Sequence, residues 1–277
     1  MGGFPGRSCL TMVWSLTLYR KTDMGNRGGS EDASRGILAE PIASQLIGEL
    51  LGLLAHDLRN PLSALHSNLG YLDTVLSSRD DEAREAVEDG VVSCDGLSHV
   101  IDNVDLLGQV LRGGMRVQRS PSPALPLIAG AVERCQPAAR SHGLSLELDA
   151  KARQLHAVVD VGRDLATRAL TNLIRNSIQH APPSSTVTVT ASADAERVLV
   201  QVSDSGTSLT DELRETAFTA EGQVAAKSRA NSRYSRGMGL YCARVAATLC
   251  GGEIRVLDPP GGAGNLFQLT LNRLSSG

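Results

Sequence analysis

The chain has 277 residues, a net charge of -3 and an isoelectric point near 6.1, which leaves no electrostatic case for a nucleic-acid partner. Aromatic residues make up only 3% of it, too few for base-stacking platforms, so Leu, Val and Ala must build the interior. The five cysteines, Cys9, Cys94, Cys135, Cys242 and Cys250, are scattered and never form a CxxC pair, as expected of buried or incidental thiols in a reducing cytoplasm rather than of a zinc site.

Residues 1–40 mix Gly, Ser and charge without period and read as a disordered lead-in. The apolar run from Cys9 to Tyr19 is broken by Thr and Ser and is much shorter than the ~20 residues a spanning helix needs. Arg20 and Lys21 follow where a signal peptide would carry small residues for cleavage. No membrane insertion is expected, and a cytosolic location is.

From Ile47 the apolar residues Leu51, Leu54, Leu58, Leu62, Leu65, Leu69, Leu72 and Leu76 recur at intervals of three or four, the pattern of an amphipathic helix. At about 100° per residue the stripe is centred between Leu54 and Leu58, and His56 points away from it into water. Asn60 shares that outward face and Asp57 lies beside the histidine. Pro61 removes the amide that would bond to the Asp57 carbonyl, which predicts a bend or loosening under His56. The lone histidines His66, His99, His142 and His156 read as solvated surface residues.

The first helix is expected to end near Ser77, with SSRDD as a short connection. A second periodic segment carries Val87, Cys94, Ile101 and Gly108 at intervals of seven, interleaved with Gly90, Leu97, Val104 and Leu111. Two long helices with a short joint make an antiparallel hairpin. Its narrow stripes exceed what one hairpin can bury, which predicts a homodimer with a four-helix bundle; the alternative is a hairpin packed on its own domain.

Gly113 and Gly114 stop the second helix, and SPSPALP marks a boundary. Helices are expected over Leu127–His142, Arg163–His180 and Gly239–Leu249. Strands are expected over Leu144–Leu148, His156–Asp160, Thr186–Thr190, Arg197–Ser203, Glu253–Leu257 and Asn265–Leu271. The expected organisation is a lead-in at 1–40, a hairpin at 41–114, a linker or first strand at 115–126 and an α/β sandwich at 127–277, an α+β chain overall.

Three features of the second half suit a nucleotide. Asn172 and Asn176 lie one turn apart on a helix face, and an amide oxygen is a neutral hard donor suited to magnesium already holding phosphate oxygens. Asp204 ends the strand VLVQVSD and can accept an exocyclic amine, with Gly206 allowing close backbone approach. Gly237 and Gly239 sit at a helix entry, where amides can hold phosphate.

HDLRNPLSAL around His56 resembles the phosphoacceptor box of sensor histidine kinases. The asparagine helix, the DSG turn and the GMGL helix entry resemble the N box and glycine boxes of their GHKL-type ATP-binding domain. The resemblance implies a dimeric four-helix bundle followed by an ATP-binding α/β sandwich, and autophosphorylation of His56 from Mg-ATP. It further implies Asp57 as the residue that takes or orients the imidazole proton and Asn60 as an aid to dephosphorylating a regulator. Asn176 becomes the principal magnesium ligand and Asn172 its support; Asp204 becomes the adenine contact, and Gly206, Gly237 and Gly239 shape the phosphate loop. The implied partners are a response-regulator receiver domain and an upstream sensory protein, since only a short lead-in precedes the hairpin.

The chain departs from the family pattern at several places. Ser208 and Ser235 replace expected glycines, Gln179 stands where lysine is common, and the segment around Phe218 hardly matches the usual phenylalanine-rich box. These departures imply weakened nucleotide affinity. They leave open an alternative, a phosphotransfer scaffold with a degenerate ATP domain; a GHKL chaperone or repair ATPase would not explain HDLRNP. The basic residues Lys227, Arg229, Arg233 and Arg236 fall in the expected ATP lid.

Overall fold

Heptad spacing builds the first half of the molecule as two long helices, α1 (Pro41–Val75) and α2 (Asp81–Leu111). The computed structural model describes residues 41–75, 81–113, 115, 117–220, 222 and 238–274; the SSRDD connection, apart from its last residue, lies outside them. The predicted stripe on α1 divides in two. Ala55 and Leu62, with Leu69 half-buried, pack against Cys94 and Ile101 of α2. Leu58, Leu65 and Leu72, also seven apart, stay 54%, 49% and 44% exposed. One partner helix can cover only one heptad seam, so the second seam, joined by the exposed Leu97 and Val100 of α2, has no cover among the described residues. α1 runs through Pro61 without a break. α2 stops where Gly113 takes φ 70° and its N–H returns to the Val110 carbonyl at 3.0 Å, a left-handed ending that glycine adopts without strain.

The second half is a mixed sheet with helices on one face. Its strands are β2 (Ser145–Leu148), β4 (Thr186–Ala193), β5 (Arg197–Asp204), β6 (Glu253–Leu257) and β7 (Asn265–Asn272), in the order β2-β4-β5-β7-β6. The β2–β4 pair is parallel and the other pairs are antiparallel. Alternation sets the two faces. Val187, Val189, Val198, Val200, Val202, Leu269 and Leu271 are fully buried beneath the helices. On the other face Gln201 and Gln268 pair side chain to side chain at 3.0 Å.

The covering helices are α3 (Ala124–Ser141), α4 (Arg163–His180) and α6 (Gly239–Leu249). α4 lies at the centre of this layer, packing on α3, α6 and the sheet. Its Leu165, Ala166, Ala169, Leu170, Leu173, Ile174 and Ile178 are buried, small residues letting the neighbours close in. Leu106 and Leu107 of α2 belong to this same core, so apolar packing crosses the boundary expected at Gly113 and Gly114.

Two short elements add to the sequence reading. β1 (Ser120–Pro123) pairs antiparallel with β3 (Val158–Val161). The helix α5 (Asp211–Thr216) starts at Thr210, whose hydroxyl accepts the Leu213 N–H at 3.4 Å. No helix among the described residues is long and apolar enough to cross a membrane. Cys94, Cys135, Cys242 and Cys250 are buried free thiols, and burial raises the Cys242 thiol to about 12.

Candidate functional site

The apolar side of α4 faces the core, which leaves Arg168, Asn172 and Asn176, each four residues from the next, along another flank. At the C-terminal end of α4 the chain folds the turn after β5 tightly against the helix. A Cβ on Gly206 would stand 2.5 Å from the His180 carbonyl oxygen, so only glycine permits that approach. Asp204 is buried there. Its Oδ1 accepts from the Gly206 N–H at 2.9 Å and from Asn265 Nδ2 at 3.0 Å, while Oδ2 is buried with no hydrogen-bond partner among the described residues. A buried acceptor without a donor is costly unless a ligand supplies one. Partial burial pushes the His180 imidazole down, with the Asp204 charge pulling it partly back.

Asn265, which the sequence reading did not single out, holds this turn together with Ser208. Asn265 also donates to the Thr207 carbonyl at 3.1 Å and accepts the Leu209 N–H at 2.9 Å. It stands opposite Asp204 in the β5–β7 register; its one sequence signal is a polar residue opening the strand NLFQLTLN. Ser208, where the family pattern expects glycine, accepts the Gly264 N–H at 3.1 Å. The substitution thus supplies a bond that glycine could not make.

Near the entry of α6 a different arrangement holds. Asn172 is almost wholly buried and forms a reciprocal amide pair with Asn103 of α2, Asn103 Nδ2 donating to Asn172 Oδ1 at 2.9 Å and Asn172 Nδ2 to Asn103 Oδ1 at 3.0 Å. Asn172 Nδ2 donates also to the Arg168 carbonyl at 2.9 Å, and His99 Nε2 lies 3.0 Å from Asn172 Oδ1. Asn172, expected to face a ligand, has its amide engaged by α2 in this conformation. The same contact corrects the reading of His99 as a solvated residue. Burial, aided by the Arg175 charge, lowers its imidazole to about 4.

The other expected site residues fall as follows. A Cβ on Gly239 would lie 3.3 Å from Asn172 Oδ1, so the structure brings the start of α6 and Asn172 together. Asn176 is half-buried. His56 and Asn60 are exposed on α1. Arg59, between them, reaches Asp102 of α2 at 3.2 Å, and Asp102 meets Arg168 of α4 at 3.9 Å. Asp57 lies on α1 with its side chain outside the description, and Gly237 and the basic lid residues lie outside the described residues.

These groups fit a magnesium nucleotide at one end of α4 more than at the other. Asp204 Oδ2 is a ready acceptor for an exocyclic amine. Asn176 offers a neutral oxygen, whereas Asn172 offers none while it is paired.

Residues 46–111 match the model of the His Kinase A (phospho-acceptor) domain, and residues 162–274 that of the histidine kinase-, DNA gyrase B-, and HSP90-like ATPases. The sensor protein KdpD of Escherichia coli (strain K12) is 25% identical over 230 residues, 82% of this chain and 24% of that protein. The sensor protein IrlS of Burkholderia pseudomallei (strain K96243) is 28% identical over 209 residues, 75% of this chain and 43% of that protein. The chain thus spans less than half the length of these curated relatives. Full-length ShkA, crystallised in complex with AMPPNP, shares the fold with a TM-score of 0.55 at 20% identity, over 82% of this chain and 47% of that one.

Proposed function

Since the chain belongs to the sensor histidine kinases, we propose that it moves the γ-phosphoryl group of ATP to His56 and then to an aspartate of a separate response regulator. The observation that carries this reading is the buried, unpartnered Asp204 Oδ2, in one chain with an exposed histidine in HDLRNP. Asp204 takes the exocyclic amine of adenine, and Gly206, Gly237 and Gly239 give the backbone room around the phosphates. Asn176 holds the magnesium ion, which when bound neutralises triphosphate charge.

One imidazole nitrogen of His56 attacks the γ-phosphorus in line. A P–N bond forms as the bond from phosphorus to the bridging oxygen breaks, and ADP leaves with that electron pair. Asp57 orients or accepts the proton on the second ring nitrogen, keeping the attacking nitrogen unprotonated. Catalysis is otherwise positioning and charge neutralisation. The uncovered Leu58, Leu65 and Leu72 seam, with Leu97 and Val100, is the surface on which a second copy completes the four-helix bundle. We place the protein in the cytoplasm, taking its input from an upstream sensory partner.

Incubation with γ-labelled ATP tests the reading: acid-labile, base-stable label on the wild type, and none on His56→Gln or Asn176→Ala. Label persisting on His56→Gln would move the acceptor elsewhere, and a degenerate scaffold would have no magnesium-dependent ATP affinity. Asn60, three residues beyond Asp57, is positioned along the helix to align water for dephosphorylating the regulator. Asn60→Ala should then retain autophosphorylation and lose most phosphatase activity; equal loss of both would remove this role.

A further inference from the structure

Asn172 lies one turn from Asn176 and beside Gly239, within the nucleotide site proposed above, yet its amide is fully used by the hairpin and by its own helix. Oδ1 meets Asn103 and His99, and Nδ2 meets Asn103 and the Arg168 carbonyl. Asn103 is 8% exposed and Asn172 1%, so water cannot easily replace either partner. The contact is reinforced on every side. Arg168 Nη1 donates to the Asp102 carbonyl at 2.5 Å and its Nη2 approaches the Asp102 carboxylate. Cys242 of α6 points its thiol at the Asn103 carbonyl at 3.9 Å. Leu106 and Leu107, one turn further along α2, enter the core of the second domain. The contact also sits at the height of His56 along the hairpin, because Arg59, three residues beyond it, pairs with Asp102.

A buried amide surrenders such bonds only in exchange for others. We propose that this conformation is a latched state in which α2 and a magnesium nucleotide compete for Asn172, so that docking of the hairpin through Asn103 weakens nucleotide binding. The proposal rests on the reading of this region as the ATP site. Linkage makes the effect reciprocal: nucleotide loosens the α2–α4 contact by the same factor that docking weakens the nucleotide. A signal that rotates or shifts α2 by a fraction of a turn would then set nucleotide affinity without touching the nucleotide.

The test uses the full chain and Mg-AMPPNP as probe. Asn103→Leu takes two bonds from the Asn172 amide in the docked state and leaves it only His99 and the Arg168 carbonyl, so calorimetry should show Mg-AMPPNP binding to the variant tighter by at least about five-fold than to wild type. A merely structural Asn103 would give equal or weaker binding, which overturns the latch. Amide hydrogen exchange on the wild type needs no variant. Adding Mg-AMPPNP should speed exchange across residues 99–107 of α2; slowed or unchanged exchange there overturns the latch. Equal binding by both proteins leaves the ATP reading standing and removes the latch alone. Absence of binding by both overturns the two together.

Discussion

Beside the C-terminal end of α4 the buried Asp204 Oδ2 has no partner among the described residues, whereas about two turns earlier the Asn172 amide has a full set. Asn172 lies on that helix and Asp204 ends β5 against its last turn, and both are buried. The difference is one of address. The Asp204 end is held by Gly206 and Asn265 on one oxygen only, which on the proposed reading leaves the other for a donor from a ligand, and the Asn172 end is satisfied by a donor and an acceptor from the hairpin. Desolvation cost is accepted only at the end where a ligand can repay it.

Substitution at Asp204 should show the sharpest contrast. Asp204→Asn keeps an oxygen for Gly206 and Asn265 but turns an N–H toward the ligand, so Mg-AMPPNP affinity should fall on the order of 100-fold while thermal stability holds or rises. A matching fall in stability would mean that Oδ2 has a partner in the free protein. Asn265→Ala comes next, since it strips partners from Asp204 Oδ1, the Thr207 carbonyl and the Leu209 N–H. Urea denaturation should register a loss of about 3 kcal/mol, and a loss within error would show that the turn holds itself.

At the other end the probe is pH. His99 titrates near 4 in the folded chain against an ordinary 6.5. Above pH 6.5 it is neutral in both states and adds no slope. Between about 6.5 and 4 the unfolded chain binds a proton that the folded chain refuses, so stability falls as pH falls, by roughly 2 kcal/mol at pH 5. Below 4 the slope from this residue ends. His180, also lowered, acts in the same direction. Denaturation curves of His99→Gln should be flatter over this range, and an unchanged slope would exclude His99 as its source. The smallest effect belongs to Arg59→Ala. Its ion pair with Asp102 joins side chains that are each 45% exposed, so the cost should stay below about 1 kcal/mol and vanish in high salt; a larger, salt-insensitive cost would make the pair part of the latch itself.

Periodicity and punctuation were enough to locate α4, α6 and β6 at their observed ends, because each has a clear apolar pattern and a Gly or turn at its border. β1 reads in the sequence only as linker or first strand, since two of its four residues are proline. It survives as a strand because it pairs with β3 alone and needs few N–H donors. α5 is too short for a period and depends on a single Thr210 cap. In the site, Asp204 and Gly206 were legible because a strand end and a tight turn are local. Asn265 was not, as its bond to Asp204 spans 61 positions. The fate of Asn172 was hidden for the same reason, its partner Asn103 being 69 positions away, and so was the division of the α1 stripe, which depends on where α2 lies. Helical spacing says which residues share a flank; it does not say what arrives to meet them.

Leu106 and Leu107 belong to the core between the sheet and its covering helices. A fragment trimmed at the Gly113 turn to isolate the nucleotide module would therefore pull two plugs from that module and bare a greasy socket between α3 and α6. Fragments meant for assay should begin upstream of His99, so that the socket keeps its own stopper.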